Sequence, residues 1–399
     1  MSVANPLRQI NSSDRKLPVY GLDDRENHKT SSAHPLVIRT PLAYRSVKPP
    51  LNENKSLNCE VCHVERLPNE ILLMIFSRMP KRFLAKCSLV NRRWHEVSCE
   101  ETLWKRMDLG NRKLPIEVVH LLLCKGIEIL RLAKTEMLGT RKFQADIDIE
   151  HIDALRFLTP CALRYLDMSM SVVKSTQTVA TLLKRCNLLE RLSLETVEVD
   201  SECASALAQN SKLTHLNLTM CRGLDGYAMR TILSATRRLV ELNIGWCSLS
   251  RQAVSETVKS LPPRLQRLNF SGCRKETMVN ERNVCVYVEI LCRNCDELIE
   301  LDLSDCTDIT SACVSSITSL KHLKVLHLSR CYSIEPSDYT RLNDLKELNI
   351  FGTLNDTGIH SLSRTLKGVC INENMFSTIA RPTVGIRRTS IWKERTRDE

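Results

Sequence analysis

"LTHLNLTMC", residues 213–221, sets leucines at 213, 216 and 218 and a cysteine three positions after the last. In an extended chain successive side chains point to opposite faces, so Leu216 and Leu218 share a face while His215 and Asn217 take the other. The stretch is not isolated. Close copies read "LERLSLE" from Leu189, "LVELNIGWC" from Leu239, "LQRLNFSGC" from Leu265, "LIELDLSDC" from Leu298, "LKVLHLSRC" from Leu323 and "LKELNIFGT" from Leu345. Weaker copies begin at Ile127 ("IEILRL") and Leu163 ("LRYLDMS"). From Leu192 the central leucines fall at 216, 242, 268, 301, 326 and 348, in steps of 24, 26, 26, 33, 25 and 22.

A repeat of this period with one short strand per unit is a leucine-rich repeat. No unit buries its apolar face alone, so neighbours stack into a horseshoe. The step of 33 implies an insertion in "SGCRKETMVNERNVC". Cys221, Cys247, Cys273, Cys306 and Cys331 recur after LxxLxLxx, which marks the cysteine-containing type. A thiol there packs as a small apolar group and donates weakly to the turn backbone, so these are ladder residues and not nucleophiles.

Outward from the repeats, the chain changes character twice. Residues 1–64 hold six of the fourteen prolines within the first 50 positions, many Asn and Ser, and only Tyr20 and Tyr44 as aromatics. Such a segment cannot offset its ordering entropy and is expected to be a disordered regulatory arm. Residues 65–112 set Pro68 ahead of Ile71, Leu72, Ile75, Phe76 and Met79, an amphipathic helix that Pro80 ends. Phe83, Leu84, Cys87 and Val90 mark a second helix, and Trp94, Val97, Leu103 and Trp104 a third helical region. The expected architecture is therefore an α/β solenoid: arm, three-helix unit, repeats over 113–372, and a tail over 373–399.

Composition narrows the function classes. A hydrophobic share of 43% and a charged share of 26% are ordinary for a globular chain. No apolar run approaches a membrane span, and the N-terminus lacks the pattern of a secretory signal. Eighteen Cys without such a signal point to a reducing compartment with free thiols. The net charge of +11 is not gathered into one block, which speaks against nucleic acid; a local excess runs from Arg381 to Arg397. "CEVCH" at Cys59 and "CRNC" at Cys292 have suggestive spacings, but nothing brings them together, so neither a metal nor another cofactor is expected. No phosphate-cradling loop or nucleophile–base set appears, and an enzyme is not expected.

Two surfaces are left for binding. On the concave side Asn217/Thr219, Asn243/Gly245, Asn269/Ser271, Asp302/Ser304, His327/Ser329 and Asn349/Phe351 form a small, polar trough. One residue further, just before the ladder cysteines, the rim carries Trp246, Asp305 and Arg330, with Arg274 after Cys273. An indole with arginines suits a binding hot spot and capture of a carboxylate or phosphate. The tail segment "FSTIARPTVG" fits no repeat. It is expected to turn back along the trough, with Phe376 and Ile379 as anchors and Arg381, Pro382 and Trp392 continuing toward earlier repeats.

Leu67-Pro68, Ile71-Leu72, Ile75-Phe76, Leu84, Val90, Trp94 and Leu103-Trp104 resemble the F-box pattern in order and spacing, with Asn91 where many F-boxes have Cys. The resemblance implies that Leu67, Pro68, Ile71, Leu72, Ile75, Phe76, Leu84, Val90, Trp94 and Trp104 serve a Skp-type adaptor, and through it a cullin and a RING subunit. F-box, cysteine-type repeats, "LNIGWC", "SGCRK", "LDLSDC", "LSRCYSI" and "FSTIARPTVG…IW" follow the order seen in F-box/leucine-rich-repeat substrate receptors of the S-phase kinase-associated type. That likeness implies a nuclear and cytoplasmic receptor that works with a phosphate-binding Cks-type subunit on phosphorylated Kip-type cyclin-dependent kinase inhibitors. Trp246, Arg274, Asp305 and Arg330, with Tyr332 beside them, would line the shared surface. A cyclin–kinase complex is a further implied partner, for which the arm shows no matching motif. Met220 stands where a small rim residue is usual. A receptor for a Cks-independent degron and a passive repeat scaffold or inhibitor stay open.

Overall fold

The computed structural model describes residues 63–138, 161–273, 283–383 and 390–396. The arm, the "CEVCH" cysteines, the insertion from Arg274 and part of the tail lie outside them. Three helices come first: α1 (Asn69–Phe76), α2 (Lys81–Cys87) and α3 (Arg92–Ser98). Prolines 68 and 80 occupy the N-cap positions of the first two, where their lack of an N–H costs nothing. At the third, the Asn91 side chain accepts from Trp94 N–H at 2.8 Å. The Asn that stands where many F-box patterns have Cys is thus a helix cap. Leu72, Phe76, Leu84, Cys87, Val97 and Leu103 close a small core between the helices.

Eleven strands among the described residues form one parallel sheet. They are β1 (Arg106–Asp108), β3 (Ile129–Arg131), β5 (Tyr165–Asp167), β7 (Arg191–Ser193), β8 (His215–Asn217), β9 (Glu241–Asn243), β10 (Arg267–Asn269), β11 (Glu300–Asp302), β12 (Val325–His327), β13 (Glu347–Asn349) and β14 (Cys370–Ile371). Each pairs only with its neighbours, with the central leucines in register from Leu166 to Leu348. Both weak repeat copies, at Ile127 and Leu163, form full strands. The sheet starts earlier than the sequence implied, because β1 lies inside the stretch assigned to the helical unit. Its Met107 and Leu109 turn inward without the LxxLxL signature. A second, short parallel sheet, β2 (Lys113–Pro115), β4 (Glu136–Leu138) and β6 (Val172–Val173), backs the first repeats.

The repeat leucines are fully buried: Leu213, Leu216 and Leu218 expose nothing. Helices on the opposite side complete one continuous core. Side-chain oxygens cap four of them: Asp200, Asp225, Ser250 and Asn355 each accept a first-turn N–H. The ladder cysteines behave as hydrogen-bond donors across repeats. Cys221 Sγ donates to Leu194 O at 3.1 Å, Cys247 Sγ to Leu218 O at 2.9 Å and Cys331 Sγ to Leu303 O at 3.2 Å. Burial pushes the Cys247 and Cys331 thiols up to about 12, so they stay protonated. One pair departs from the expectation of free thiols: Cys285 and Cys313 are joined as a disulfide between the helix Asn283–Asn294 and the helix Ser311–Ile317. Their Cα atoms, 5.0 Å apart, lie where two stacked repeat helices meet. Cys292 and Cys295 are buried free thiols in that same unit.

Candidate functional site: a helical face and a repeat rim

The sequence-derived F-box residues separate into two sets. Leu72, Phe76 and Leu84 point into the helical core, at 1%, 1% and 0% exposure. They position the unit and cannot themselves be the contact face. Ile71 and Ile75 lie on the other side of α1 at 39% exposure each. Pro68 and Val90 are exposed too, and so are Met74, Phe83 and Leu89, which the adaptor-binding set did not include. For Met74 the i+3 spacing from Ile71 on α1 was the available signal. Leu67 is half-buried. Trp94 is half-buried and stands edge-on to Phe76, with ring centroids 5.3 Å apart. Trp104 does something different: its Nε1 donates to Ser98 O at 2.7 Å and its ring packs against both cores. It is a joint between the helices and the repeats.

The trough residues are not a solvated floor. Asn217, Asn243 and Asn349 expose nothing, and Asn269, Asp302, His327, Ser271 and Ser329 are buried. The reason is local. At the ends of β8, β9, β10 and β11 the amide or carboxylate oxygen accepts the N–H two residues on: Thr219 at 3.1 Å, Gly245 at 3.1 Å, Ser271 at 3.0 Å and Ser304 at 2.9 Å. These side chains close the turn from strand to rim, so little of them is left for a partner.

The turn they close is left-handed. Met170, Thr196, Met220, Trp246, Asp305 and Arg330 all have φ between 57° and 66°, with Gly272 at 79° in the same register. A non-glycine residue pays about 1–2 kcal/mol for that conformation. It persists because each rim N–H donates to the next repeat: Met220 to Gly245 O at 2.9 Å, Trp246 to Ser271 O at 2.8 Å, Asp305 to Ser329 O at 2.8 Å. Trp246 is half-buried, its indole lying over Gly272. A Cβ built there would sit 2.7 Å from Trp246 Cδ2. Arg330 does not wait for an anion: Nε donates to Asp305 Oδ1 at 2.6 Å and Nη2 to Oδ2, a bidentate pair on a 5% exposed aspartate. Tyr332, 63% exposed, stands free of the core beyond the rim. Arg274 lies outside the described residues.

The tail crosses the concave side. Asn374 N–H donates to Asn349 Oδ1 at 3.1 Å. Asn243 Nδ2 donates to Ile379 O at 3.0 Å, and Ala380 N–H to Glu241 Oε2 at 2.8 Å. Further on, Trp392 Nε1 donates to Ala380 O at 3.1 Å, and Arg191 Nη1 to Trp392 O at 3.0 Å. The Trp392 ring stands edge-on to Tyr165 at 6.1 Å, and with Ile391 it packs on Ile129. The hairpin β15 (Ser390–Ile391) and β16 (Glu394–Arg395) ends near β1, with Glu394 3.7 Å from Arg106. Ile379 is buried, Pro382 buried and Arg381 half-buried. The Phe376 side chain is not buried as expected: it is 54% exposed, while Ser377 beside it is 5% exposed and Ile379 fully buried. The grip comes mainly from residues just before central leucines: Arg191, Glu241, Tyr165 and Glu347, whose Oε1 accepts from Asn374 Nδ2 at 2.8 Å. Strand alternation places these on the concave face as surely as the residues after it, and the sequence reading weighed only the latter.

Among the described residues no cluster of His, Cys, Asp or Glu is placed to hold a metal ion, and no helix is long and apolar enough to cross a membrane. Asp108, Arg131 and Asp167 form a buried charge set at the N-terminal end of the concave face. Arg131 Nη1 donates to Asp108 Oδ1 at 2.9 Å and its Nε stands 3.7 Å from Asp167 Oδ2. Burial pushes the Asp167 carboxyl up to about 6 against the pull of Ser169 and Arg131.

Residues 64–110 match the F-box-like family, and residues 117–399 match the SKP2 LRR domain. Lysine-specific demethylase 2B of Mus musculus is 23% identical over 282 residues, 66% of this chain and 18% of that protein. F-box protein dre-1 of Caenorhabditis elegans is 36% identical over 56 residues, 14% of this chain and 6% of its own length. The chain thus spans less than a fifth of either relative. Among solved structures, the leucine-rich repeat-containing protein LegL7 from Legionella pneumophila aligns with a TM-score of 0.41 at 12% identity, over 66% of this chain and 89% of that one. The Leptospira interrogans LRR protein LIC12759 gives 0.38 at 17%, over 68% and 73%. With more than two thirds of its length matched by the repeat-domain model and the F-box ahead of it, the chain belongs to the SKP2-like family of F-box/leucine-rich-repeat proteins.

Proposed function

We propose that the chain is a substrate-recognition subunit of an SCF-type cullin-RING ubiquitin ligase. An F-box joined to leucine-rich repeats is the make-up of such receptors, which are themselves typically non-catalytic. The observation that carries the reading is the division of the F-box apolar residues. Its own core is complete with Leu72, Phe76 and Leu84, yet Ile71, Met74, Ile75 and Val90 stay 39% to 65% exposed. An apolar face of this kind marks a protein contact. A Skp-type adaptor would cover it and bring the cullin and RING subunits. Trp104 ties that face to the repeats, so the adaptor and the rim keep a fixed relation.

On the rim, Trp246, Asp305, Arg330 and Tyr332 would meet the substrate together with a Cks-type subunit. The substrate class is a phosphorylated cell-cycle inhibitor of the Kip type, handed on for degradation in nucleus and cytoplasm, with a cyclin–kinase complex as a further partner. A second reading has its own support: the Arg330 guanidinium already holds Asp305, so an unmodified degron that needs no Cks subunit fits a rim locally neutralised in this way. Affinity purification of the tagged chain from dividing cells separates the readings. Adaptor, cullin and Cks subunit together support the first. Adaptor and cullin without Cks support the second, and absence of both adaptor and cullin rejects ligase membership.

A further inference from the structure

Cysteines stack from repeat to repeat, yet among the described residues only Cys285 and Cys313 are joined, and fourteen others are free thiols. Proximity alone does not decide this. Cys161 Sγ donates to Cys186 Sγ at 3.6 Å without a bond between them, and both side chains are buried. The ladder thiols Cys221, Cys247 and Cys331 donate to backbone carbonyls and are buried as well. A buried thiol that keeps its proton is inert toward exchange. The joined pair differs on one side. Cys313 exposes nothing, whereas Cys285 is half-buried, so a small thiol or disulfide can approach from the Cys285 side. Cys285 also lies in the first turn of the helix Asn283–Asn294, where unpaired amides favour a thiolate. Thr310 precedes the helix Ser311–Ile317, but its side chain accepts no N–H of that helix. Its Oγ1 stands instead 3.2 Å from Cys285 Sγ, within reach to donate to a thiolate.

We propose that Cys285 and Cys313 form a reversible thiol–disulfide switch, with Cys285 as the exchanging sulfur and a low-molecular-weight disulfide of the glutathione class as the oxidant. In closing, the Cys285 thiolate attacks one sulfur of that disulfide, and one small thiolate leaves. Cys313 then loses its proton to solvent, attacks the Cys285 sulfur of the mixed disulfide and expels the second small thiolate. The two protein thiols give up two electrons and two protons, and the small disulfide becomes two thiols. In opening, a small thiolate attacks the Cys285 sulfur and Cys313 leaves; a second frees Cys285. The bond spans 28 positions of sequence, and the loop it closes contains β11 and the rim residue Asp305. Closing a loop removes freedom from the opened chain and so favours the packed one. With the bond open, the two helices are held by packing alone, through Val288, Leu291, Val314 and Ile317 in the core. The switch thus sets how readily the repeat that carries Asp305 opens, whatever the rim binds.

The test uses the full chain in glutathione buffers that run from an excess of the reduced form to an excess of the oxidised form. Samples are quenched in acid, unfolded and alkylated, and peptide mass spectrometry reads the state of each cysteine. Hydrogen exchange is followed under the same conditions for the wild type, Cys285→Ser and Cys313→Ala. The expected result is that Cys285 and Cys313 pass together from alkylated to bonded as the buffer turns oxidising, and return when it is reversed. Cys221, Cys247 and Cys331 should stay alkylated throughout. In the wild type, amides between Cys285 and Cys313 should exchange at least about tenfold more slowly in oxidising than in reducing buffer, with no such difference in either variant. A pair that stays bonded in excess reduced glutathione is a fixed staple, and a pair that never closes is two ordinary core thiols; either result overturns the switch. Equal amide exchange of the wild type in both buffers overturns it too. The wild-type measurements need no variant, so they decide the matter even where Cys313→Ala fails to fold.

Discussion

Asn243 donates its side-chain amide to the carbonyl of Ile379 at 3.0 Å, across 136 positions of sequence. Both groups are buried, and the bond fastens the C-terminal tail to the middle of the repeat sheet. From there the tail reaches Tyr165 and Ile129 through Trp392, which is 8% exposed. The last repeat is thereby tied to the first. Trp392→Ala should cost about 3–5 kcal/mol, the usual range for emptying a buried indole site. Urea denaturation checks this; an unchanged midpoint would show that the tail rests on the sheet without supporting it.

The F-box division predicts opposite effects for neighbouring residues. Ile75→Glu on the exposed side of α1 should weaken adaptor binding at least tenfold and leave helicity and thermal midpoint near wild type. Leu84→Ala in the core should instead cost about 2–5 kcal/mol of stability. Trp94→Ala, which strips the edge-on partner of Phe76, should do some of each. Isothermal titration with the adaptor and thermal melts separate these; adaptor affinity untouched by Ile75→Glu would remove α1 from the interface.

Gly272 sets the place of Trp246. At φ 79°, and with the indole where a Cβ would go, Gly272→Ala must push Trp246 off the rim. Substrate capture should drop at least fivefold with the adaptor still bound. Arg330→Ala should behave alike, since it removes the guanidinium that holds the buried Asp305 carboxylate from two sides. Equal loss of substrate and adaptor in either variant would mean the repeats had unfolded.

Asp167 gives the N-terminal repeats a pH signature. Its folded carboxyl titrates near 6 against an ordinary 3.8. The folded chain therefore binds the extra proton between those values, and this group's stability contribution falls as pH rises from about 4 to 6, by up to about 3 kcal/mol. His120 opposes it across the same window: burial and Arg185 hold it down to about 4 from an ordinary 6.5, so its contribution rises with pH. The readout is thus the difference between wild type and Asp167→Asn in urea midpoint. The wild type should lose ground relative to the variant from pH 4 to 6; a flat difference would contradict the assignment.

The repeats were legible because leucine spacing alone dictates which side chains leave water, and even the weak copies at Ile127 and Leu163 obeyed it. β1 was not, since Met107 and Leu109 reach the core through pairing with β3, a contact that local pattern does not encode. On the concave face the polar character of Asn217 and Asn243 was visible, but their engagement with their own backbone was not. The tail residues Ile379, Pro382 and Trp392 stood out only by failing to fit the repeat. Their partners Arg191 and Glu241 were hidden among ordinary charged positions, because the grip joins residues more than a hundred positions apart. The Asp305–Arg330 pair was likewise invisible as a pair, each being read as a separate rim group.

The most direct test of the account is reconstituted ubiquitin transfer. The full chain is assembled with a Skp-type adaptor, cullin and RING subunits, and offered a Kip-type inhibitor, phosphorylated or not, with and without a Cks-type subunit. The account predicts ubiquitinated inhibitor only when phosphate and Cks subunit are both present, and its loss with Ile75→Glu and with Arg330→Ala. Transfer that ignores phosphate and Cks, or that survives both substitutions, would contradict it.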